Sequence, residues 1–404
     1  MTMTNFLFRL RNRHFFVMDL VALALIPSLA LALRLDGFEE LPRYAGACHA
    51  VGVSSGTAGL HLCVIAAGVS QGDLVITTPF SFIASANCIL YERAIPVFVD
   101  IDPKTLNIDP TLIAEAVHDL TKGGDAARRW LPPALRHQPS AIRYQPSAIL
   151  PVHAFGQPAD MDPILDVARR YDLSVIEDAC EAIGAEYKGR KAGTLSDAAV
   201  FAFYPNKQMT TGEGGMIVTD NDDWADLFRA WLNHSRLGYN YRLDEMSAAL
   251  GLAQLGRIEE LLAKRERVAQ WYNERLRDVE GVQIPYIAPT TTHMSWFVYV
   301  VRLAPEIDRD AVMTALEERG IPSRPYFTPI HLQPFYRKIF GYGEGDFPIT
   351  ESVAKSTLAL PFYGNLDEEK VDFVCETLKE IVGRGMETTP WSSEIDIFYS
   401  RISS

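Results

Sequence analysis

The sequence predicts an α/β protein built on a mostly parallel sheet, and three observations carry that reading. Short apolar runs with strand character alternate with helical runs from His49 to Leu232. Residues able to do chemistry follow the ends of those runs, where open α/β sheets bind ligands: Asp178 closes one strand and Lys207 comes just after another. The chain has 404 residues, more than a usual single domain, so one large unit and one smaller unit are expected.

Composition narrows the function. Hydrophobic content of 48% and charged content of 22% are ordinary for a globular protein. A formal net charge of -13 speaks against a nucleic-acid partner. The five cysteines (Cys48, Cys63, Cys88, Cys180, Cys375) are scattered without C-x-x-C spacing, so no metal site and no disulfide framework is expected.

Residues 15–35 are almost wholly apolar, broken by Asp19, Pro27 and Ser28 and preceded by Arg9, Arg11 and Arg13. The stretch is long enough to span a bilayer. It reads as a membrane helix, with a re-entrant hairpin bent at Pro27 as the form that keeps the rest of the chain cytoplasmic. A secretory signal ending near Ala30-Leu31-Ala32, a buried helix and a misassigned start compete with it.

After an atypical segment 1–37, residues 38–260 read as the large domain, 261–383 as the small one and 384–404 as a tail. Phe38 to Tyr44 is a helix tail and His49 to Val53 a strand. Ser54-Ser55-Gly56-Thr57-Ala58 then opens an apolar helix; its first N–H groups and its dipole make an anion site suited to phosphate. Leu74 to Thr77 is a strand, Phe80-Ser81-Phe82 a loop, Ala84 to Tyr91 a helix and Pro96 to Asp100 a strand. Asp109-Pro110 caps a helix from Thr111 to Leu120. Residues 122–144 are a polar insert in which Gln138-Pro139-Ser140-Ala141-Ile142 is repeated as Gln145-Pro146-Ser147-Ala148-Ile149; only the second copy continues into a strand, Ala148 to Val152. Met161 to Tyr171 is a helix and Ser174 to Glu177 a strand ending in Asp178. Trp224 to Leu232 is a helix, Asp244 to Val279 one long helical region with Leu250, Leu255, Ile258, Leu261 and Leu262 on one side, and Ser295 to Leu303 a strand. Helices from Arg309 to Arg319 and from Glu368 to Val382 complete the reading.

Everything converges on the run from Phe201 to Gly215. A strand from Ala198 to Phe203 stops at Pro205, one lysine follows at Lys207, and a Thr/Gly-rich turn leads to a second strand, Met216 to Val218. A nucleophilic lysine needs that setting: a short loop between rigid strands, apolar neighbours, and small residues that let a ligand approach. With Asp178, an aromatic loop and a helix N-terminus ready for phosphate, these are the parts required to hold pyridoxal 5'-phosphate.

Val53-Ser54-Ser55-Gly56-Thr57-Ala58, Glu177-Asp178-Ala179-Cys180-Glu181-Ala182 and Pro205-Asn206-Lys207 through Gly215 resemble, in order and spacing, the signature blocks of the DegT/DnrJ/EryC1/StrS sugar aminotransferases. The resemblance runs from residue 38 to about 382. It implies a fold-type-I pyridoxal-phosphate transferase with a seven-stranded, mostly parallel sheet, flanking helices and a smaller C-terminal α+β domain. It also implies a cytoplasmic homodimer that moves an amino group, with glutamate as the usual donor, onto a nucleotide-linked keto-sugar for cell-envelope polysaccharide. Lys207 would be the lysine that binds the cofactor covalently and shuttles protons, and Asp178 the partner of the pyridinium nitrogen. Gly56, Thr57 and Ala58 would meet the phosphate, Phe82 would stack on the ring, and Asn240 would reach the phosphate of the other subunit. Tyr326 and His331 are candidates on the substrate side.

Two positions depart from the pattern. Glu181 stands where relatives carry Gln or His beside the ring, and Ala202 where many carry a phosphate-binding serine. The first ~30 residues, close to one membrane span in length, instead resemble the opening of membrane-anchored nucleotide-sugar dehydratases and epimerases, which implies contact with the inner face of the membrane through 15–35. Two alternatives follow: a catalytically impaired, membrane-attached fusion with a binding or scaffolding role, and a sugar dehydratase of the same fold, in which histidine would replace Lys207.

Overall fold

The computed structural model describes residues 44–137, 145–232, 235 and 237–386. The apolar run 15–35, the first copy of the repeat and most of the tail lie outside the described residues. Among the described residues no helix is long and apolar enough to cross a membrane.

The central sheet has seven strands: β1 (His49–Val53), β2 (Leu74–Thr77), β3 (Ile95–Phe98), β4 (Pro146–Ile149), β5 (Ser174–Asp178), β8 (Ala198–Ala202) and β9 (Gly215–Thr219), in the order β1-β9-β8-β5-β4-β2-β3. The pairs β8–β5, β5–β4, β4–β2 and β2–β3 are parallel, whereas β9 runs antiparallel to both neighbours. Strands covered on both faces read as unbroken apolar runs, and β2 is buried at all four residues. The helices α1 (Gly56–Ala66), α2 (Ala84–Tyr91), α3 (Pro110–Lys122), α4 (Gly124–Arg128), α5 (Met161–Tyr171) and α6 (Asp222–Leu232) connect and flank these strands. Two of the helix starts are fixed by their caps. Ser55 Oγ accepts from the Ala58 amide at 3.1 Å, and Asp109 Oδ1 from that of Thr111 at 2.7 Å, with Pro110 in the first helical turn.

The region 244–279 departs from expectation, since it is two helices, α7 (Glu245–Leu255) and α8 (Ile258–Leu276). Gly256 weakens the helix at this point, and Arg257 leaves helical geometry at φ -120° and ψ 12°. The break also separates Leu250 from the apolar side expected of it, leaving that residue 44% exposed. Helix α8 serves two cores. Ile258 and Leu262 pack with Ala179, Phe201 and Met209 beneath the large sheet. Val268, Ala269, Tyr272 and Leu276 join a second core around a small antiparallel sheet, β10 (Val282–Gln283), β12 (Tyr299–Leu303) and β13 (Thr357–Leu360). That core is completed by α9 (Arg309–Glu317), α11 (Pro348–Ser356) and α12 (Glu368–Met386), while α10 (Pro334–Phe340) packs through Tyr336 beside Phe98.

The strand expected at 295–303 begins only at Tyr299. Trp296 has a positive φ of 51°, and Ser295 and Phe297 donate their amides to the Gly156 and Phe155 carbonyls at 3.1 Å each. The polar insert holds α4 and a helical turn at Pro133–Leu135, anchored where Trp130 Nε1 donates to Asp119 at 3.0 Å. A third sheet of very short strands, β11 (Thr291–His293), β6 (Glu186–Tyr187) and β7 (Arg190–Lys191), escapes sequence reading because two or three residues carry no period.

Strand β5 ends on two adjacent carboxylates. Glu177 is fully buried and accepts four bonds: from His153 Nε2 (2.8 Å), the amides of Gly193 and Leu195 (both 2.8 Å) and Ser196 Oγ (2.9 Å). His153 Nδ1 accepts from the Ala159 amide at 3.0 Å, which places the imidazole proton on Nε2. Burial pushes the Glu177 pKa up, but the His153 bond and the two amides outweigh it and hold the value below the ordinary 4.5. Removing the acceptor leaves several buried donors without a partner. Glu177→Ala is therefore expected to destabilise the fold by about 3 to 5 kcal/mol, read as a lower urea midpoint at unchanged slope. A midpoint equal to wild type would contradict this. Because the folded pKa is depressed, the stabilisation is complete above the ordinary carboxylate value and is lost as pH falls through the folded one. Glu177→Gln should accordingly flatten the acid limb of a stability–pH curve.

Candidate active site

A cavity of about 430 Å³ opens at the carboxyl ends of β5 and β8 and at the start of α1, a size suited to a small cofactor and part of a substrate. Each wall has a local cause. Strand β8 ends at Ala202, ahead of Pro205; the chain then turns on bonds from the Lys207 amide to the Tyr204 carbonyl (2.9 Å) and from the Thr211 amide to the Phe203 carbonyl (3.0 Å). Lys207 thereby faces the cavity from a short loop pinned at both ends. Its Nζ lies 3.3 Å from Glu181 Oε1 and 3.9 Å from the centroid of the Phe297 ring, an ion pair and a cation–π contact to the same ammonium.

Asp178 is 5% exposed and lines the cavity. Its Oδ2 accepts from Ser85 Oγ at 2.7 Å, and Ser85 lies 2.8 Å from the Ser81 hydroxyl; its Oδ1 accepts from the Cys180 amide at 3.2 Å. Glu181 is held through Oε2 by the Phe155 amide at 3.0 Å. Burial drives the pKa of Glu181 up, and Lys207 opposes that shift without cancelling it.

At the third wall, the first amides of α1 have no carbonyl of their own helix to bond. Ala58 N–H goes to Ser55 Oγ and Gly59 N–H to the Ser55 carbonyl, so the Gly56 and Thr57 amides are left at the cavity. Gly56 is required by contact. A Cβ there would lie 2.8 Å from Cys180 Sγ and 2.9 Å from Ala202 Cβ. The small Ala202 thus permits the helix to approach β8 while offering no hydroxyl to a ligand.

The structure brings Lys207, Asp178, Gly56, Thr57, Phe82, Glu181 and Tyr326 into one lining. Phe82 stands 63% exposed at the rim. Tyr326 packs edge-on against Phe155 and Phe297, and burial followed by the Glu181 charge raises its pKa. Two residues expected at this site, Ala58 and His331, lie outside the lining, and so does Asn240, which is expected to serve the other subunit. Ala58 is buried behind its capping bond. Asn240 is exposed outside the lining, on a loop whose next residue, Tyr241, accepts the Ser54 amide at 2.7 Å. His331 is wholly buried in another cluster, with Nε2 3.0 Å from Glu351 and its ring against Phe347, so its pKa is lowered by burial and it does not reach the cavity.

Two contributors escaped sequence reading. Ser85 follows Ser81 by four residues, a spacing that puts both hydroxyls on one side of a helix start. Phe297 falls inside the strand expected from Ser295 to Leu303, where its ring would have no reason to meet a lysine.

The lining fits pyridoxal phosphate. It supplies an amine for covalent attachment, a carboxylate for a protonated ring nitrogen, an exposed aromatic rim and a glycine-opened helix N-terminus for phosphate.

Comparison with known proteins agrees. The profile of the DegT/DnrJ/EryC1/StrS aminotransferase family matches residues 34–379. The chain is 40% identical over 352 residues to GDP-perosamine synthase of Caulobacter vibrioides, covering 84% of this chain and 87% of that one. It is 37% identical over 374 residues to the spore coat polysaccharide biosynthesis protein SpsC of Bacillus subtilis, covering 86% and 90%. Among solved structures, DesV of S. venezuelae, determined with a ketimine intermediate, superposes with a TM-score of 0.75 at 30% identity, covering 91% of this chain and 96% of that one. A DegT/DnrJ/EryC1/StrS aminotransferase from Brucella abortus superposes with a TM-score of 0.76 at 28% identity, covering 91% and 98%. The fold, the pyridoxal-phosphate cofactor and the class of reaction follow from these matches: the chain belongs to the DegT/DnrJ/EryC1/StrS aminotransferase family.

Proposed function

We propose that the protein transfers an amino group from glutamate to a keto-sugar carried on a nucleotide, in the cytoplasm and for polysaccharide assembly. The observation that carries this reading is the placement of the Lys207 amine and the Asp178 carboxylate on one cavity with the N-terminus of α1. The sugar class is supported by relatives named for GDP-perosamine synthesis and by DesI, whose structure was determined in the presence of its TDP-sugar product and which is 30% identical to this chain.

When bound, pyridoxal phosphate supplies an electron sink for a carbanion next to the transferred nitrogen. The chain supplies the rest. Asp178, fixed by Ser85 and the Cys180 amide, has acceptor capacity left with which it would hold a protonated ring nitrogen. The Gly56 and Thr57 amides would hold the phosphate. Lys207 Nζ carries the proton between substrate carbon and nitrogen, and Glu181 and Phe297 keep that amine in place. Phe82 and Tyr326 line the side from which a sugar enters.

The same lining supports a homodimer. Among the described residues it contains three carboxylates (Asp178, Glu181, Glu213) and Lys207 as its one cation, a poor balance for a phosphate and a sugar diphosphate. Beside the loop bearing Asn240, Leu237 is fully exposed, and Met246 is 82% exposed on α7; such apolar surface suits an interface between copies. In this reading Asn240 completes the phosphate site of the other copy.

Mass-spectrometric screening of keto-sugar nucleotides with glutamate tests the reaction. Wild type should form an amino-sugar nucleotide and lose its cofactor absorption band when glutamate is added, whereas Lys207→Ala should form none. Equal product from both would remove Lys207 from the chemistry. Asp178→Asn keeps the shape but loses the charge, and should lower kcat by about a hundredfold with the cofactor still bound. An unchanged kcat would show that the Asp178 charge is dispensable.

A further inference from the structure

Arg265 lies in the middle of α8, between the residues that pack under the large sheet and those that enter the second core. It is 8% exposed. Its NH2 donates to the Lys207 carbonyl at 3.1 Å, and its NH1 to the carbonyls of Trp296 (3.2 Å) and Phe297 (3.1 Å). Among the described residues no carboxylate pairs with it, and burial alone lowers its pKa to about 10. A guanidinium that gives up water for three carbonyls is expensive to bury, so its placement calls for a reason. The reason is visible in what the carbonyls belong to. One is the peptide of the lysine; the others lead into the ring that lies over that lysine's amine.

The neighbouring Gln208 repeats the connection. Its Nε2 donates to Ser295 Oγ at 2.8 Å and also to the Glu181 carbonyl. Segments 207–208, 295–297 and 181 are thus tied in a closed set of bonds, with Glu181 and Phe297 both in contact with Nζ and the Arg265 fork holding the backbones that carry Lys207 and Phe297.

We propose that Arg265 is a positioning residue for Lys207: its planar fork locks the Lys207 and Phe297 backbones together and so fixes where the amine stands in the cavity. A lysine at this position would keep the charge and the buried stem, but it cannot present two rigidly spaced nitrogens to three carbonyls. The inference rests on Lys207 being the reactive amine of the proposed transfer.

Arg265→Lys and Arg265→Met, made in the full chain and purified with cofactor, test it. Each is assayed per folded molecule, with the folded fraction read from circular dichroism. The expected result is a kcat lowered at least about tenfold in Arg265→Lys and further in Arg265→Met, with both KM values within about threefold of wild type, because misplacing a reacting group by an ångström costs rate rather than binding. Hydrogen exchange should quicken in peptides covering 204–211 and 295–298 while those covering 368–382 stay unchanged. Activity that falls only with the folded fraction, or a change confined to KM, would overturn the proposal and leave Arg265 as a structural staple. The exchange measurement needs no turnover, so it judges the coupling even if wild type proves inactive toward keto-sugars; that outcome would count against the proposed reaction instead.

Discussion

The site depends on how β5 ends. Glu177 and Asp178 are consecutive, so the pleat sends their side chains to opposite faces of the sheet. One face gives Glu177 four donors and satisfies it, which fixes the turn from 193 to 196 against the strand. The other face gives Asp178 two protein donors and leaves the remainder of its acceptor capacity to the cavity. Two like charges on adjacent residues are tolerable in a buried strand only because each is answered by its own set of dipoles. The structural carboxylate and the ligand-facing one are therefore parts of a single arrangement.

The second constraint is the meeting of three segments distant in sequence. Residues 155–156 and 295–297 are joined by main-chain bonds and residue 181 through its side chain: Phe155 donates its amide to Glu181 Oε2, and its carbonyl accepts from the Phe297 amide. Gly156 permits this. With φ +93° it adopts a backbone that L-residues avoid, and a Cβ would lie 2.7 Å from Ser295 Oγ. The C-terminal part of the chain thus reaches the cavity through a segment that gives up strand pairing in order to do so.

That exchange explains what the sequence disclosed and what it hid. The strands of the large sheet, α1, α2 and α5 are legible because buried parallel strands and capped helices leave unbroken apolar runs and punctuation such as Ser55 or Asp109-Pro110. Lys207, Asp178 and the start of α1 are legible because ligand-binding residues gather where strands end. Phe297, Ser85 and Arg265 are not, since each acts through a partner 58 or more residues away, or through the chain's return from another core, and local pattern does not encode such a return. His331 shows the converse. A polar residue in a Pro/aromatic loop reads as a substrate contact, yet its Nε2 is engaged internally by Glu351, which also accepts the Gly345 and Phe347 amides.

Glu181 carries the remaining electrostatic question, which is how a cavity with three carboxylates accepts an anionic cofactor. Part of the answer lies in its own burial, which favours the protonated form, and part in Lys207, which favours the charged one. These influences are reciprocal. While Lys207 bears a proton at 3.3 Å, Glu181 is held toward its carboxylate. Where that attraction is weakened, desolvation would prevail and Glu181 would move toward the neutral acid. The Phe155 amide, 3.0 Å from Glu181 Oε2, holds that side chain in place whichever influence prevails.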